Sequence, residues 1–343
     1  MRKTTLLCYG ILPFVFGSCM DLQPAAQEDT THLRVNVVLV ELNVAVTDSK
    51  GNYVTGLRPE NFAITEDKIT QKISSFEESG KPAFSANEVT APPQVGSPKS
   101  GDAAEPESQT PADGANFSTS RLSGSSVYIL FDTSNYMYRS FVFAQVAITD
   151  FIRSMDVASK IAFYSYCRDL SRAIQLTSDH FRVINGVRSS VAGEDAALYN
   201  GLLLTVKDAA PLKGRKAIVV FSNGPDNASA VPPEDVAELA QSTGTIIYII
   251  STREAQDDPV SAAAFERMSR VSGGKAYFAK NWREENKAFS AIREDLVHLY
   301  TLSYYPQSNP NRGWRSIKVK LVGKDLQKYH VRTRDGYRLT AQR

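Results

Sequence analysis

Three cysteines in 343 residues are too few for a disulfide framework. Cys8 and Cys19 fall within the first twenty residues, leaving Cys167 alone in the rest of the chain. One thiol makes no internal bridge, so stability has to come from packed apolar cores. Histidine is scarce too: His32, His180, His298 and His330 are scattered, with none of the short spacings by which side chains share a zinc ion. No Gly-x-Ser-x-Gly turn and no phosphate-cradling glycine loop occurs, and Gly273-Gly274 leads into a strand pattern rather than a helix. With no nucleophile paired to a base, an enzyme is not expected. A net charge of +2 carries no electrostatic footprint of nucleic-acid binding. Past the first twenty residues no apolar run approaches the roughly 18 positions of a membrane span.

The charge that is present is unevenly placed. Residues 312–343 hold ten Lys or Arg against two acids, whereas residues 41–80 hold seven acids against four bases. Solvated strand faces explain such runs most simply, and a polyanion site is the alternative.

The opening MRKTTLLCYGILPFVFGSCM has the pattern of an export signal over residues 1–19. Arg2 and Lys3 give a positive start, Leu6 to Phe16 an apolar core, and Gly17-Ser18-Cys19 a small-residue end. The small-small-Cys ending resembles a bacterial lipoprotein processing site, which would make Cys19 the lipidated first residue. Plain secretion and an uncleaved anchor are the other readings. All three place the protein outside the cytoplasm: secreted, periplasmic or held on a membrane surface.

Residues 33–78 read as strands, rich in Val and Leu and broken by the turn cluster Ser49-Lys50-Gly51-Asn52. Residues 79–123 change to Ser, Ala, Pro, Gly and Thr without apolar period, the composition of a disordered linker. Residues 124–298 alternate short apolar strands with amphipathic helices, which predicts a doubly wound, mostly parallel α/β sheet. The first of these helices, over 141–155, is expected to turn Val142, Val146, Thr149, Ile152 and Met155 toward the core. Residues 299–340 return to strands. Neither terminal strand set is large enough to be stable alone. Together they number about seven, the size of an immunoglobulin-like sandwich, which predicts one β-sandwich with the α/β domain inserted. Two separate small sheets are the alternative.

Open α/β sheets bind ligands at the carboxyl ends of their strands. Those ends carry Asp132-Thr133-Ser134 after the first strand and Ser222-Asn223-Gly224-Pro225-Asp226 after the central one. Another loop, Ala192 to Tyr199, lies between these two in sequence and leads into a helix predicted over 196–208. The three loops together resemble the metal-ion-dependent adhesion site of von Willebrand factor type A domains. The flanks VTDSKGNYVTGLRPENFAITED and YTLSYYP…GWRSIKVKLV…VRTRDGYRL resemble those of the acidobacterial-type VWFA-related family.

That resemblance implies five ligand positions: Asp-x-Ser-x-Ser in the first loop, a threonine before Ala-Leu-Tyr in the second, and an aspartate before glycine in the third. Here Asp132 and Ser134 match. Tyr136, Ala196 and Asn223 stand at the other three. Mg²⁺ demands near-octahedral oxygen geometry, so each lost oxygen weakens it. Asn223 still offers a carbonyl oxygen; Ala196 offers none. The expectation is a degenerate site, with no cofactor or a weakly bound divalent cation (Mg²⁺ or Ca²⁺) at Asp132, Ser134 and Asn223, and Asp132 and Ser134 otherwise bonding nearby backbone N–H groups. Glu194, Asp195 and Asp226 are candidate substitute ligands. The expected function is a protein-binding or adhesion module contacting its partner through Tyr136 and Tyr138. Metal-dependent adhesion through the substitute ligands and a passive envelope scaffold are the alternatives.

Overall fold

In the computed structural model the structure describes residues 39–78, 84–85, 125–156, 159–251 and 258–339. The signal segment, Cys19 and most of 79–123 lie outside these. In chain order the elements begin with β1 (Val40–Thr47), β2 (Phe62–Glu66), β3 (Ile69–Gln71), β4 (Ile73–Glu78) and β5 (Phe84–Ser85). There follow β6 (Ser126–Asp132), α1 (Phe141–Ser154), β7 (Lys160–Tyr166), β8 (Leu170–Thr177), α2 (His180–Arg188) and α3 (Leu198–Ala209). Next come β9 (Lys216–Ser222), α4 (Pro233–Thr243), β10 (Ile246–Ser251), α5 (Pro259–Ser272), β11 (Ala276–Phe278) and α6 (Trp282–His298). The chain closes with β12 (Tyr300–Tyr304), β13 (Trp314–Leu321), β14 (His330–Arg332) and β15 (Gly336–Arg338).

Six strands form the central sheet in the order β11-β10-β9-β6-β7-β8, parallel except for β8. Helices cover both faces, so strand residues of either parity must be apolar, and the strands read as unbroken Val/Ile/Phe runs for that reason. Val127, Ile129 and Phe131 of β6 pack with α1, α2 and α6 on one face. Tyr128 and Leu130 pack with α3, α4 and α5 on the other. This is the doubly wound α/β fold.

Helix α1 buries Thr149, Ile152 and Met155 as expected but differs from the sequence expectation in its first two turns. It buries Ala144, Ala147, Ile148, Phe151 and Ile152, while Val142 and Val146 are exposed. The small Ala144 and Ala147 let the helix sit close to the sheet, which rotates the two valines into solvent. Phe84–Ser85 is a second difference: inside the segment expected to lack regular structure it pairs with Ser75 and Phe76.

Strands from the two ends of the chain interleave. A five-stranded antiparallel sheet runs β14-β1-β12-β4-β5, and a four-stranded one runs β15-β13-β2-β3. Their inner faces share one core, in which Val40, Leu42, Val44, Phe76 and Tyr300 meet Phe62, Ile64 and Ile317. Within it, Phe62, Phe76 and Tyr300 pack with ring centroids 5.3–5.7 Å apart. Buried Glu66 accepts hydrogen bonds from Tyr304, Tyr337 and Arg315, so its charge is paired.

The sandwich grips the α/β domain at the helix C-termini. Arg332 donates to Gly273 O and to buried Asp295 of α6, which also accepts from Tyr248 at 2.6 Å. Arg334 donates to Gln241 O in the last turn of α4 and to Glu41 O of β1 at 2.8 Å. Cations at these ends meet the negative poles of the helices. Gly273 has φ +87°, and a Cβ there would stand 3.0 Å from Arg334 N, so this junction needs glycine. Among the described residues no helix is long and apolar enough to cross a membrane.

Candidate functional site

The three loops meet at the end of the central sheet away from the sandwich. Asp132 ends β6, with Tyr166 in register beside it on β7 and Ser222 at the end of β9 on its other side. The carboxylate is fully buried. Its Oδ1 accepts from Ser134 N at 2.9 Å and its Oδ2 from Ser222 Oγ at 2.8 Å. Ser222 Oγ in turn accepts from the Tyr166 hydroxyl at 2.9 Å and from Gly224 N at 3.2 Å. Burial pushes the Asp132 carboxyl up, and these donors only partly offset that. Neither Tyr166 nor Ser222 stood out in the sequence as a partner of Asp132. The signal for both is sheet order, which sets them on the strands flanking β6.

Ser134 is also buried, and its side chain helps hold the Asp132 carboxyl down. Immediately after it, residues Asn135–Met137 make a 3-10 turn that drives Met137 into the core and leaves Tyr136 and Tyr138 exposed.

The loops are tied directly to one another. Gly193 N donates to Thr133 O at 2.6 Å, Asn135 N to Glu194 O at 2.8 Å, and the Tyr138 hydroxyl to Gly193 O at 2.8 Å. Asn223 Nδ2 donates to Tyr136 O, joining the third loop to the first. Ala196 N donates to Asn227 Oδ1 at 2.8 Å, and Ala196 O accepts from Asn227 N and Ala228 N. Gly193 owes its identity to this closeness, since a Cβ would fall 2.7 Å from Cys167 Sγ.

The substitute-ligand candidates are dispersed. Glu194 is an exposed side chain whose backbone carbonyl does the bonding. Asp195 lies 3.6 Å from Arg168 at the surface. Asp226 caps α3 from a distance: that helix starts at Leu198 with Ala197 as a capless N-cap, and Asp226 Oδ2 accepts from Tyr199 N at 2.9 Å. Ser229 Oγ accepts from Asn200 N beside it. A carboxylate at a helix N-terminus is favoured by both the free N–H groups and the dipole. Among the described residues, no three His, Cys, Asp or Glu gather in a group able to hold a metal ion.

Around the rim lies an apolar patch absent from the sequence expectation. Val142 (67% exposed), Phe143 (64%) and Val146 (55%) on α1 are exposed, as is Val191 (79%), the residue before the second loop. Gln145 of α1 links the two segments by donating to Val187 O at 3.0 Å and Ser190 Oγ at 3.1 Å. An alternation of 142, 143 and 146 with buried 144, 147 and 148 could have been read as a helix apolar on two sides.

Comparison with curated proteins finds no match. Among solved structures, the conserved hypothetical protein BatB from Bacteroides thetaiotaomicron is 17% identical, covering 50% of this chain and 97% of its own, with a TM-score of 0.43. The vWF domain of the type V pili tip protein Mfa5 from Porphyromonas gingivalis is 12% identical over 50% of this chain and 94% of its own, with a TM-score of 0.43. A von Willebrand factor type A protein from Catenulispora acidiphila is 11% identical over 62% of this chain and 66% of its own, with a TM-score of 0.44. The family model for the von Willebrand factor type A domain matches residues 126–291, from the start of β6 into α6. Residues 126–291 of this chain are a von Willebrand factor type A domain.

Proposed function

We propose that the loop rim is a protein-binding surface of an exported protein, and that it works without a cation. One observation carries the reading: the loops that would share an ion are joined by their own hydrogen bonds. Both oxygens of Asp132 already accept from protein donors. The amide of Asn223 reaches the Tyr136 carbonyl, and Ala196 brings no oxygen on its side chain. This donor set does not fit a hexacoordinate hard cation, so the adhesion site is a degenerate one. Asp226 is committed to α3, which leaves the substitute-ligand reading with exposed Glu194 and Asp195 only.

Tyr136, Tyr138, Phe143, Val142, Val146 and Val191 supply aromatic and aliphatic area suited to a protein partner. No catalytic role is assigned: among the described residues His180 bonds Ser159 O, His298 stacks on Tyr53 and His330 lies on β14, none of them at the rim. Export rests on the N-terminal pattern.

The test is affinity capture from envelope extracts with the full chain and a Tyr138→Ala/Phe143→Ala variant, each with and without chelator. Capture lost in the variant and indifferent to chelator supports the reading. Capture abolished by chelator contradicts it.

A further inference from the structure

The basic C-terminal stretch divides into two groups in the fold. Arg315, Arg332, Arg334 and Arg338 are consumed by Glu66, Asp295, the α4 C-terminus and Glu238. Lys318 and Lys320 are not. Lys318 and Lys320 alternate on β13 with Ile317, Val319 and Leu321, which face the sandwich core, so the two lysines stand on the outer face of the four-stranded sheet. Register sets Lys318 opposite Thr65 and Lys320 opposite Ala63 of β2. Lys68, in the β2–β3 turn, and Lys72, directly after β3, are exposed at the margin of the same sheet.

None of these four lysines belongs to a salt bridge among the described residues. The outward positions Ala63, Thr65, Thr70, Ser316, Lys318 and Lys320 include no carboxylate. Asp67, in the same turn as Lys68, is occupied by Ser316, Asn309 and Asn311. The exposed acids nearest in sequence are Asp325, in the turn after β13, and Glu60, ahead of β2, both outside the strands of this sheet.

We propose that this lysine-bearing sheet face rests on an anionic lipid surface. A flat face with unpaired cations complements a flat sheet of phosphate headgroups, and each lysine near such a surface adds attraction that salt screens. The position of the face in the molecule agrees. The sandwich contacts the C-terminal ends of α4 and α5, at the opposite end of the central sheet from the rim. A membrane under the sandwich therefore leaves the rim pointing outward. The expected lipidated Cys19 precedes Val40, the start of β1, by a length of chain that spans at most about 70 Å. This assignment is independent of what the rim binds.

The test is co-sedimentation of the full chain, carrying Cys19→Ala so that no acyl chain contributes. Vesicles of phosphatidylcholine alone are compared with vesicles that also contain phosphatidylglycerol. The difference between the two isolates headgroup charge from any insertion of the apolar N-terminus. A clear preference for phosphatidylglycerol, fading as salt is raised, is expected. Replacing all four lysines by glutamine (K68Q/K72Q/K318Q/K320Q) should lower that preference by roughly several hundredfold, at roughly fivefold per lysine. The corresponding four-arginine variant should retain it, and K207Q/K287Q on the helices should leave it unchanged. Equal binding to both vesicle types, or a preference that survives in the glutamine variant, overturns the proposal. A preference lost equally in the helix control also overturns it. Capture by soluble polyphosphate without vesicle preference makes the face a site for a free polyanion and overturns the membrane assignment.

Discussion

Ser222 Oγ donates to Asp132 Oδ2 at 2.8 Å, and both residues are fully buried at the ends of the two central strands. Ser222→Ala removes that donor from a buried carboxylate and is expected to cost about 1–3 kcal/mol of stability. Tyr166→Phe removes only the donor behind Ser222 and is expected to cost about 1 kcal/mol. Urea denaturation monitored by far-UV circular dichroism measures both, and equal effects would mean that Tyr166 reaches the carboxylate itself.

Two carboxylates give pH dependences of opposite sign. Burial raises the Asp132 carboxyl above its ordinary 3.8. Between that value and the raised one, the folded state holds a proton that the unfolded state has released, so stability falls as pH rises through the window. Asp132→Asn is expected to remove this loss. Burial also pushes Asp67 up, but the Ser316 N–H, Asn309, Asn311 and the Ser316 hydroxyl outweigh it and hold the carboxyl down to about 2. Its contribution is present above pH 3.8 and is lost as pH falls toward 2. The group is largely solvated, so screening limits it to about 1 kcal/mol. Urea midpoints of Asp132→Asn, Asp67→Asn and the wild type, from pH 2 upward, separate the two signs.

The junction between the sandwich and the α/β domain rests on Arg332 and Asp295. Arg332→Ala leaves a buried carboxylate with only neutral tyrosine hydroxyls, Tyr248 and Tyr53, as side-chain donors, and a loss of about 3 kcal/mol is expected. The double variant Arg332→Met/Asp295→Leu, which takes away both charges, is expected to unfold at higher denaturant than Arg332→Ala.

If three side chains have displaced the cation, restoring them should bring it back. Tyr136→Ser/Ala196→Thr/Asn223→Asp rebuilds the family's five oxygen positions. Without ion this variant is expected to be less stable than the wild type, because a second carboxylate then faces Asp132. Mg²⁺ is expected to raise its melting temperature and leave that of the wild type unmoved. A variant indifferent to Mg²⁺ would show that loop geometry, and not only ligand identity, excludes the ion.

The rim makes a separable prediction. Tyr138→Ala and Phe143→Ala truncate exposed rings, so the fold should be kept while affinity for the captured partner drops about tenfold or more for whichever residue lies at the centre of the interface. Phe181→Ala, an exposed aromatic on α2 outside the rim, is the matched control.

The α/β domain was legible because a buried parallel strand has to be apolar on both sides. Val127 to Phe131, Ala217 to Phe221 and Ile246 to Ile250 could be little else. The α1 face was not legible. Val142 and Val146 satisfy a helical period as well as Ala144 and Ala147 do, and hydrophobicity alone favours the valines, whereas close packing on a sheet favours alanine. Asp132 and Ser134 stood out through their loop, but their partners did not. Tyr166 and Ser222 reach the site through strand order, Asp226 caps a helix 27 positions away, and Asn223 bonds a carbonyl 87 positions away. Such pairings depend on which chain segments become neighbours, which local pattern does not encode.

The most direct measurement is calorimetric titration of the full chain with Mg²⁺, Mn²⁺ and Ca²⁺, alongside thermal unfolding at the same millimolar concentrations. No binding heat and an unmoved transition are the expected results. A stoichiometric cation that raises the transition and is lost in Asp132→Ala would contradict the view that hydrogen bonds alone hold these loops.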